Sequence, residues 1–322
     1  MAVKRVLVIE GEVEDRRILA EGLSSHGYDV KACKDGVSAI HELEQSHSTS
    51  TYFDYIIVDA QLTDISGIKI MRVLKTAWPK LPMLVVAGSD DDTLEGELKQ
   101  FENTAKVDRP LVLEDAVEAL LQLEPGQTTR DHKHLAQETE KTTTAKTYVF
   151  GRYGEGASVD NVLAEIKAIH GVNEIEQVDG EMQLVLICWR RSLEDLETTM
   201  TQVREVPGLE VIKANYVVPA HLDMDVSHFI EDYNYALEKT VERDDQPQPP
   251  FAYVIVDIDP AELQAVFTKM FFLDNATECE VTGGGNRVIA RVCDASTPQY
   301  ALDLKVLGEM PGVLRILEAQ VV

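Results

Sequence analysis

Short apolar segments alternate with longer helical patterns over residues 1–123, and this alternation limits the possible folds more than any other feature of the chain. The apolar segments KRVLVIE, YDVKAC, YIIVD, MLVVAG and TAKVD have the length and composition of strands. A stretch with helical periodicity follows each of them, such as GIKIMRVLKTA after YIIVD. Such alternation implies right-handed crossovers and a parallel sheet covered on both faces. The sequence therefore predicts a doubly wound α/β domain with five parallel strands.

Charged side chains stand where several of these strands end. Ligands of open parallel sheets bind at the carboxyl ends of the strands. Those ends carry Glu10, Asp59, Ala87 and Arg109. Asp59 closes an apolar segment, and a buried carboxylate needs a partner. We therefore expect a polar site at this edge of the sheet, with Asp59 in it.

The domain resembles the receiver domains of two-component response regulators over residues 3–123. The resemblance rests on Asp59 at the end of the third strand and on Gly67 in GIKIM, before the third helix. It implies a flavodoxin-like fold with Asp59 as the phosphoacceptor. It also implies Mg²⁺ held by Glu10 and Asp59, and a histidine kinase or another signalling protein as the partner at the receiver.

The predicted receiver pocket departs from the family pattern. Gly11 stands where the family places its main metal-binding aspartate, which weakens the expected Mg²⁺ site, and Glu12 follows but is expected to point elsewhere on the turn. Ala87 replaces the usual hydroxyl residue, for which Ser89 substitutes only if the loop folds back. Arg109 replaces the lysine before proline and keeps its positive charge.

Two hypotheses for the first domain remain open. One is a phosphorylatable receiver with unusual chemistry. The other is a pseudo-receiver in which Asp59 pairs with Arg109 and the domain serves for docking. No enzymatic activity beyond self-phosphorylation is expected, since no Ser-His-Asp arrangement, metal-binding cluster or nucleotide fingerprint stands out.

An internal repeat follows a polar linker predicted at 124–146. REVPGLEVIKANYVV aligns with GEMPGVLRILEAQVV at the end of the chain. Each copy has the order strand, helix, strand, strand, helix, strand, which predicts ferredoxin-like βαββαβ domains of the α+β class at 147–221 and 251–322. The helix-free face of each sheet needs a cover, either from the other copy or from a second chain.

The two copies resemble the ligand-binding (RAM) domain of the Lrp/AsnC family. IKAIHGVNEIEQVDGEMQLVLI and VREVPGLEVIKANYVV carry this resemblance in the first copy, and VTGGGNRVIARV takes the hairpin position in the second. In that family the sheets pack face to face in dimers, and amino acids or similar effectors bind between dimers. The resemblance implies a homo-oligomer formed through these domains and an amino-acid-like small effector. The effector-binding residues remain unknown.

The segment 222–250 between the copies predicts an amphipathic helix followed by a Pro-rich linker. One helical stripe carries its apolar side chains: Val226, Phe229, Ile230, Tyr233, Leu237 and Val241. The stripe fits a connecting helix docked on a domain face. An oligomerisation helix is the alternative.

Charge and cysteine usage restrict the partners and the compartment. The chain has 56 Asp and Glu against 30 Lys and Arg, so its field repels nucleic acid and anionic membranes. Its 4 cysteines are far apart and fit neither a disulfide framework nor a zinc site. No export signal or membrane-spanning run is visible. We therefore expect a cytoplasmic signalling protein without a DNA-binding domain, or alternatively a non-phosphorylatable scaffold.

Overall fold

The computed structural model describes residues 3–88, 94, 96, 98–124, 126–128, 144–240, 251–273, 275–293, 295 and 297–322. Contacts divide the chain into two compact units. The N-terminal unit comprises residues 1–138 and 222–245, and the C-terminal unit comprises residues 139–221 and 246–322.

A five-stranded parallel sheet in the order β2-β1-β3-β4-β5 forms the centre of the N-terminal unit. Its strands are β1 (Arg5–Ile9), β2 (Asp29–Cys33), β3 (Tyr55–Asp59), β4 (Met83–Ala87) and β5 (Thr104–Asp108). Asp59 pairs with Val86, and Ala87 pairs with Asp108, so the strands end at a common edge. β3 and β4 are buried along their whole length, as central strands of a doubly wound sheet are. The predicted flavodoxin-like parallel sheet is confirmed.

Helices cover this sheet: α1 (Val13–Ser25), α2 (Gly36–Thr49), α3 (Gly67–Ala77) and α4 (Leu113–Gln122). α1 and α4 share one apolar core with the sheet, in which Leu19 and Leu120 are completely buried. A Cβ at Gly22 of α1 would lie 2.3 Å from Leu113 Cδ2, so a glycine lets the two helices approach. α3 begins beside Val58 of β3. The neighbouring residues Ile57 and Asp59 point to the opposite face of the sheet, because side chains alternate along a strand.

The C-terminal unit consists of two halves with the same order of elements. The first half contains β6 (Ala145–Tyr153), α5 (Val159–Ala168), β7 (Val172–Gln177), β8 (Leu184–Arg190), α6 (Leu193–Arg204) and β9 (Leu209–Val218). After α7 (Met224–Thr240), the second half contains β10 (Phe251–Ile258), α8 (Leu263–Phe271), β11 (Ala276–Thr282), β12 (Arg287–Cys293), α9 (Pro298–Glu309) and β13 (Val313–Gln320). A short 3₁₀ turn, Pro260–Glu262, precedes α8. The element order of the predicted repeat is thus present in both halves.

All eight strands of these halves form one antiparallel sheet in the order β13-β10-β12-β11-β9-β6-β8-β7. β9 and β11 join the halves through the pairs Val218–Val281 and Val217–Thr282. A further bridge between Val178 and Val321 connects the two ends of the sheet.

The helix-free faces of the two halves share one apolar core. The first half contributes Tyr148, Phe150, Val185 and Ile187, and the second half contributes Phe251, Tyr253, Ile255 and Ile289. The opposite face of the first half packs against α5 and α6 through Val162, Ile166, Leu196 and Met200. The halves therefore cover each other within a single chain, which is the first of the two arrangements that the sequence left open.

The predicted linker at 124–146 differs from the structure at both ends. The Thr128 N–H donates to the Phe53 carbonyl over 3.0 Å, and the Phe53 N–H donates to Thr128 Oγ1 over 3.1 Å. β6 already begins at Ala145. The polar composition did not reveal these residues because backbone pairing does not require apolar side chains. Residues 125 and 129–143 lie outside the described residues.

α7 lies in the N-terminal unit, where it packs against α2 and α3. Its buried positions are Val226, Phe229, Asp232, Tyr233 and Ala236. The helix is thus docked on a domain face, the first of the two interpretations of its stripe. Ile230 and Leu237, expected in the stripe, are only half-buried, and Val241 lies outside the described residues. None of the helices in the described ranges is long and apolar enough to span a membrane.

Candidate functional site

Three acids and one arginine meet at the carboxyl edge of the parallel sheet. Glu10 follows β1, Asp59 ends β3, and Arg109 follows β5, while Asp15 lies in the first turn of α1. The side chains of Glu10, Asp59 and Arg109 are 1%, 5% and 28% exposed. Their charges are largely withdrawn from water, so each needs a partner inside the site.

Arg109 bridges all three carboxylates. Its Nη2 lies 2.9 Å from both Glu10 Oε1 and Glu10 Oε2. The same nitrogen lies 3.2 Å from Asp59 Oδ2, and Nη1 donates to Asp15 Oδ2. A guanidinium has five N–H donors in a rigid plane and can contact several acids at once, whereas the three donors of a lysine ammonium radiate from one atom.

The ends of β4 and β5 place the Arg109 side chain. The Arg109 N–H donates to the Ala87 carbonyl over 2.8 Å, which continues the register of the two strands beyond β5. Ala87 is 2% exposed and presents a methyl group where the resemblance implies a hydroxyl. Ser89 lies outside the described residues. Ala87 thus holds the arginine through its backbone and offers no side-chain donor to the site.

Backbone groups hold Asp59 from its other side. Asp59 Oδ1 accepts a hydrogen bond from the Gln61 N–H over 3.0 Å. A Cβ at Gly67 would lie only 2.0 Å from the Asp59 carbonyl oxygen. Glycine at the start of α3 therefore lets the helix approach the end of β3 closely, which is the structural reason for the Gly67 that the sequence analysis identified.

The turn after β1 holds the Glu10 side chain through one backbone amide and the Glu10 backbone through Arg16. The Glu12 N–H donates to Glu10 Oε1 over 3.0 Å, and Arg16 Nη1 donates to the carbonyls of Glu10 and Gly11 over 2.6 Å and 2.9 Å. The Glu12 side chain points away from the pocket, as expected for its place on the turn. Glu12 precedes α1 in an extended conformation and its side chain is exposed, so it contributes only its amide.

Burial and charge shift the pKa values of the central pair. Burial raises the pKa of Glu10 and the neighbouring Asp59 charge raises it further, while the Glu12 amide and Arg109 offset part of the shift. Burial lowers the pKa of Arg109, but its contacts with Glu10 and Asp59 raise it above its usual range. Arg109 therefore remains a cation at neutral and moderately alkaline pH.

Both carboxylates that the resemblance assigns to Mg²⁺ contact Arg109 in this structure. Mg²⁺ requires near-octahedral oxygen ligands. Gly11 offers no carboxylate although a Cβ there would lie 3.8 Å from Asp59 Oδ2, and Glu10 and Asp59 already contact Arg109. Within the described residues, no three His, Cys, Asp or Glu side chains are arranged to hold a metal ion. The cation of this site is the guanidinium of Arg109.

The structure brings together Glu10, Asp59, Ala87 and Arg109, as the strand ends predicted, and adds two residues that the sequence analysis missed. Asp15 and Arg16 lie in the first turn of α1, directly after the β1 end. Helices of a doubly wound sheet begin at the carboxyl edge of the strands, so charged residues in that turn were the available signal.

Comparison with known proteins identifies the first domain. Residues 6–121 match the family model of the response regulator receiver domain, which confirms the receiver domain in this part of the chain. The probable transcriptional regulatory protein SilR of Salmonella typhimurium is 26% identical over 98 residues, covering 30% of this chain and 40% of that protein. Response regulator MprA of Mycobacterium sp. (strain KMS) is 28% identical over 86 residues, covering 27% and 35%. The chain thus spans less than half the length of these relatives.

Solved structures with similarity to the chain include a chemotaxis protein and a receiver domain. Chemotaxis protein CheY4 of Vibrio cholerae is 20% identical, with a TM-score of 0.35 and coverage of 38% of this chain and 100% of that one. The receiver domain of sensor histidine kinase PA1611 from Pseudomonas aeruginosa PAO1, which has a magnesium ion coordinated in its active-site cleft, is 18% identical. Its TM-score is 0.33, with coverage of 38% and 98%.

Proposed function

We propose that the chain is a response-regulator-like signalling protein whose receiver is held in one ion-paired state by Arg109 and acts by binding partner proteins. The observation that carries this proposal is the contact of Arg109 with both Glu10 and Asp59 in a buried site. The receiver is then a pseudo-receiver, in which an internal cation replaces the divalent metal.

The chemistry of phosphoryl transfer supports this assignment. Transfer to a carboxylate requires an oxygen free for in-line attack and a cation that neutralises the transferring oxygens. Here Asp59 Oδ1 accepts from the Gln61 amide, and Asp59 Oδ2 faces Arg109. The 5% exposure of the Asp59 side chain leaves little access for a phosphodonor. These features favour docking of a histidine kinase or another signalling protein over a phosphorylation reaction.

The C-terminal unit supplies the output in this proposal. Its two halves are assigned as ferredoxin-like, RAM-type modules, supported by the order β-α-β-β-α-β in each half and by their shared inner core. They would act through homo-oligomer formation or through an amino-acid-like small effector, without contact to nucleic acid or membrane. The formal charge of −26 favours protein partners over nucleic acid and anionic membranes.

Phosphorylation at Asp59 is the second candidate. It is favoured by the position of Asp59 at the end of β3 and by the space beside Gly11, where a Cβ would meet no atom closer than 3.8 Å. This candidate requires Arg109 to leave Asp59 before a phosphodonor can approach.

Intact mass spectrometry separates the two candidates. The full chain is incubated with acetyl phosphate and MgCl₂, beside Asp59→Asn as the control for the acceptor. The pseudo-receiver predicts no added phosphoryl group in the wild type. A phosphoryl adduct that appears in the wild type and is lost in Asp59→Asn establishes the second candidate and removes the first.

A further inference from the structure

We infer that α7 transmits the state of the Asp59 site to the C-terminal unit, because its docking on the receiver depends on the two helices that the site loop holds. This inference rests on the proposed function, in which a partner protein that binds at the receiver and disturbs the pair of Arg109 and Asp59 supplies the change of state. The site loop is residues 60–66, between β3 and α3.

The site loop is bonded to the first turns of both α2 and α3. Asp64 accepts hydrogen bonds from the Gly36 and Val37 amides, each over 2.9 Å. A Cβ at Gly36 would lie 2.9 Å from Ile65 Cβ, so the loop and the start of α2 are in close contact. The Gly67 N–H donates to the Ala60 carbonyl over 3.2 Å. A loop that moves with Asp59 therefore displaces the first turns of both helices.

α7 is bound across these same two helices. His41 of α2 lies 2.9 Å from Asp225 of α7, between Nδ1 and Oδ2. Phe229 of α7 lines a small cavity together with Leu43 of α2 and Val73 of α3. Val226 and Ala236 are completely buried. Because protein interiors are close-packed, a shift of α2 relative to α3 weakens this contact.

The chain belongs to the C-terminal unit on both sides of α7. Five residues, 219–223, separate α7 from β9, whose last residues Val217 and Val218 pair with β11 of the other half. Beyond its other end the chain continues into β10, which contributes Tyr253 to the shared core. Docking of α7 thus holds the segment that connects the two halves, and release of α7 frees it.

The mechanism has two states, with α7 docked or released. Most of the stability of a helix in a protein comes from packing of its apolar face, so a released α7 loses much of its helical structure. If a change at Asp59 favours the release of α7, then the release of α7 favours that change at Asp59 by the same free energy. Both directions of the coupling can therefore be measured through amide exchange.

Hydrogen exchange of the full chain, followed by mass spectrometry, tests the inference. Arg109→Met opens the site, and Arg17→Met removes an exposed arginine of α1 as the matched control. We expect exchange within Val226–Ala236 to accelerate about tenfold in Arg109→Met, within the usual range of coupling between sites, and to remain unchanged in the control. The general destabilisation of the unit accelerates exchange in α4 as well, so the tenfold acceleration of α7 is measured relative to α4.

The reciprocal variant is Phe229→Ala, with the exposed Met224→Ala as its control. It should accelerate exchange in the site loop by a similar factor, whereas Met224→Ala should not. Unchanged α7 exchange in Arg109→Met, or acceleration of α4 and α7 to the same degree, overturns the inference. Both results leave the pseudo-receiver proposal intact, because the phosphodonor experiment alone decides that proposal.

Discussion

Arg109 Nη2 lies 3.2 Å from Asp59 Oδ2, so the central acid of this receiver is paired with a cation of its own chain. The same nitrogen contacts Glu10, whose side chain is almost fully buried. Two buried carboxylates side by side repel each other and need a positive charge between them. In this protein the arginine before Pro110 provides that charge.

Removing the guanidinium should destabilise the N-terminal unit strongly. Arg109→Met leaves Glu10 and Asp59 buried without a counter-ion, and breaking such a network costs about 3 kcal/mol of unfolding free energy at neutral pH. Urea unfolding followed through Trp78, in a Trp189→Phe background, measures the change. A loss below about 0.5 kcal/mol, as at ordinary surface positions, would contradict this role.

The loss of unfolding free energy in Arg109→Met should depend on pH. Without Arg109 the pKa of Glu10, which is already raised by burial, rises further, so the folded state binds a proton that the unfolded state releases. Stability of the variant therefore falls as the pH rises from 5 to 7, relative to the wild type. A difference that is constant between these pH values argues against uncompensated carboxylates as the cause.

Gly67→Ala should disturb the site from the backbone side. The new Cβ would lie 2.0 Å from the Asp59 carbonyl oxygen, and a backbone atom cannot rotate away as a flexible side chain can. We expect a loss of about 1–3 kcal/mol of unfolding free energy, the usual cost of inserting atoms into a packed region. Gly11→Ala is the matched control, because its Cβ meets Asp59 Oδ2 only at 3.8 Å. Equal effects of the two substitutions in urea unfolding would show that close approach at Gly67 is unimportant.

The strand ends of the site could be predicted from the sequence, whereas the helix contacts could not. An apolar segment that ends in Asp59 identifies a strand end independently of the rest of the fold. The contact between Asp15 and Arg109 depends on how α1 is rotated, which periodicity does not specify. The stripe of α7 likewise indicates a buried face without naming the surface that buries it. The repeat in the sequence is the same whether the two halves cover each other or a second chain covers them, so it does not distinguish the two arrangements.

Lys75 should make stability depend on alkaline pH. Its Nζ donates to the carbonyls of Leu81, Glu102 and Asn103, and burial lowers the pKa of Lys75 to about 8. Between about pH 8 and the ordinary lysine pKa of about 10.4, the unfolded state binds more protons than the folded state. The stability of the wild type relative to Lys75→Met should therefore rise with pH over this interval.

Urea unfolding through Trp78 at pH 7.5, 8.5 and 9.5 measures this dependence. Comparison with the variant removes the contributions of other groups, such as buried thiols. Lys80→Met, at an exposed lysine two residues after Trp78, serves as the control and should follow the wild type. If the stability of the wild type relative to Lys75→Met stays constant or falls as the pH rises, the lowered pKa does not belong to Lys75.

Reciprocal ion pairs should fix the register of the two halves of the C-terminal sheet. Lys146 of the first half lies 2.8 Å from Glu280 of the second, and Arg291 of the second half lies 3.2 Å from Glu174 of the first. A double-mutant cycle with Lys146→Ala and Glu280→Ala should give a coupling energy of about 1 kcal/mol, because both side chains are largely buried.

The exposed pair Arg152–Glu210, which lies within one half, is the matched control and should give about 0.3 kcal/mol. Urea unfolding followed through Trp189, in a Trp78→Phe background, measures both cycles. Equal coupling energies would mean that the pairs between the halves have no special role in holding them together.

A calorimetric titration with MgCl₂ tests the central claim, that Arg109 occupies the role of the metal, most directly. The wild type is compared with Gly11→Asp/Arg109→Lys, which adds a carboxylate at an open position beside Asp59 and replaces the bridging guanidinium. The account predicts no Mg²⁺ binding by the wild type and saturable binding by the double variant. Saturable binding by the wild type that disappears in Asp59→Asn would contradict it.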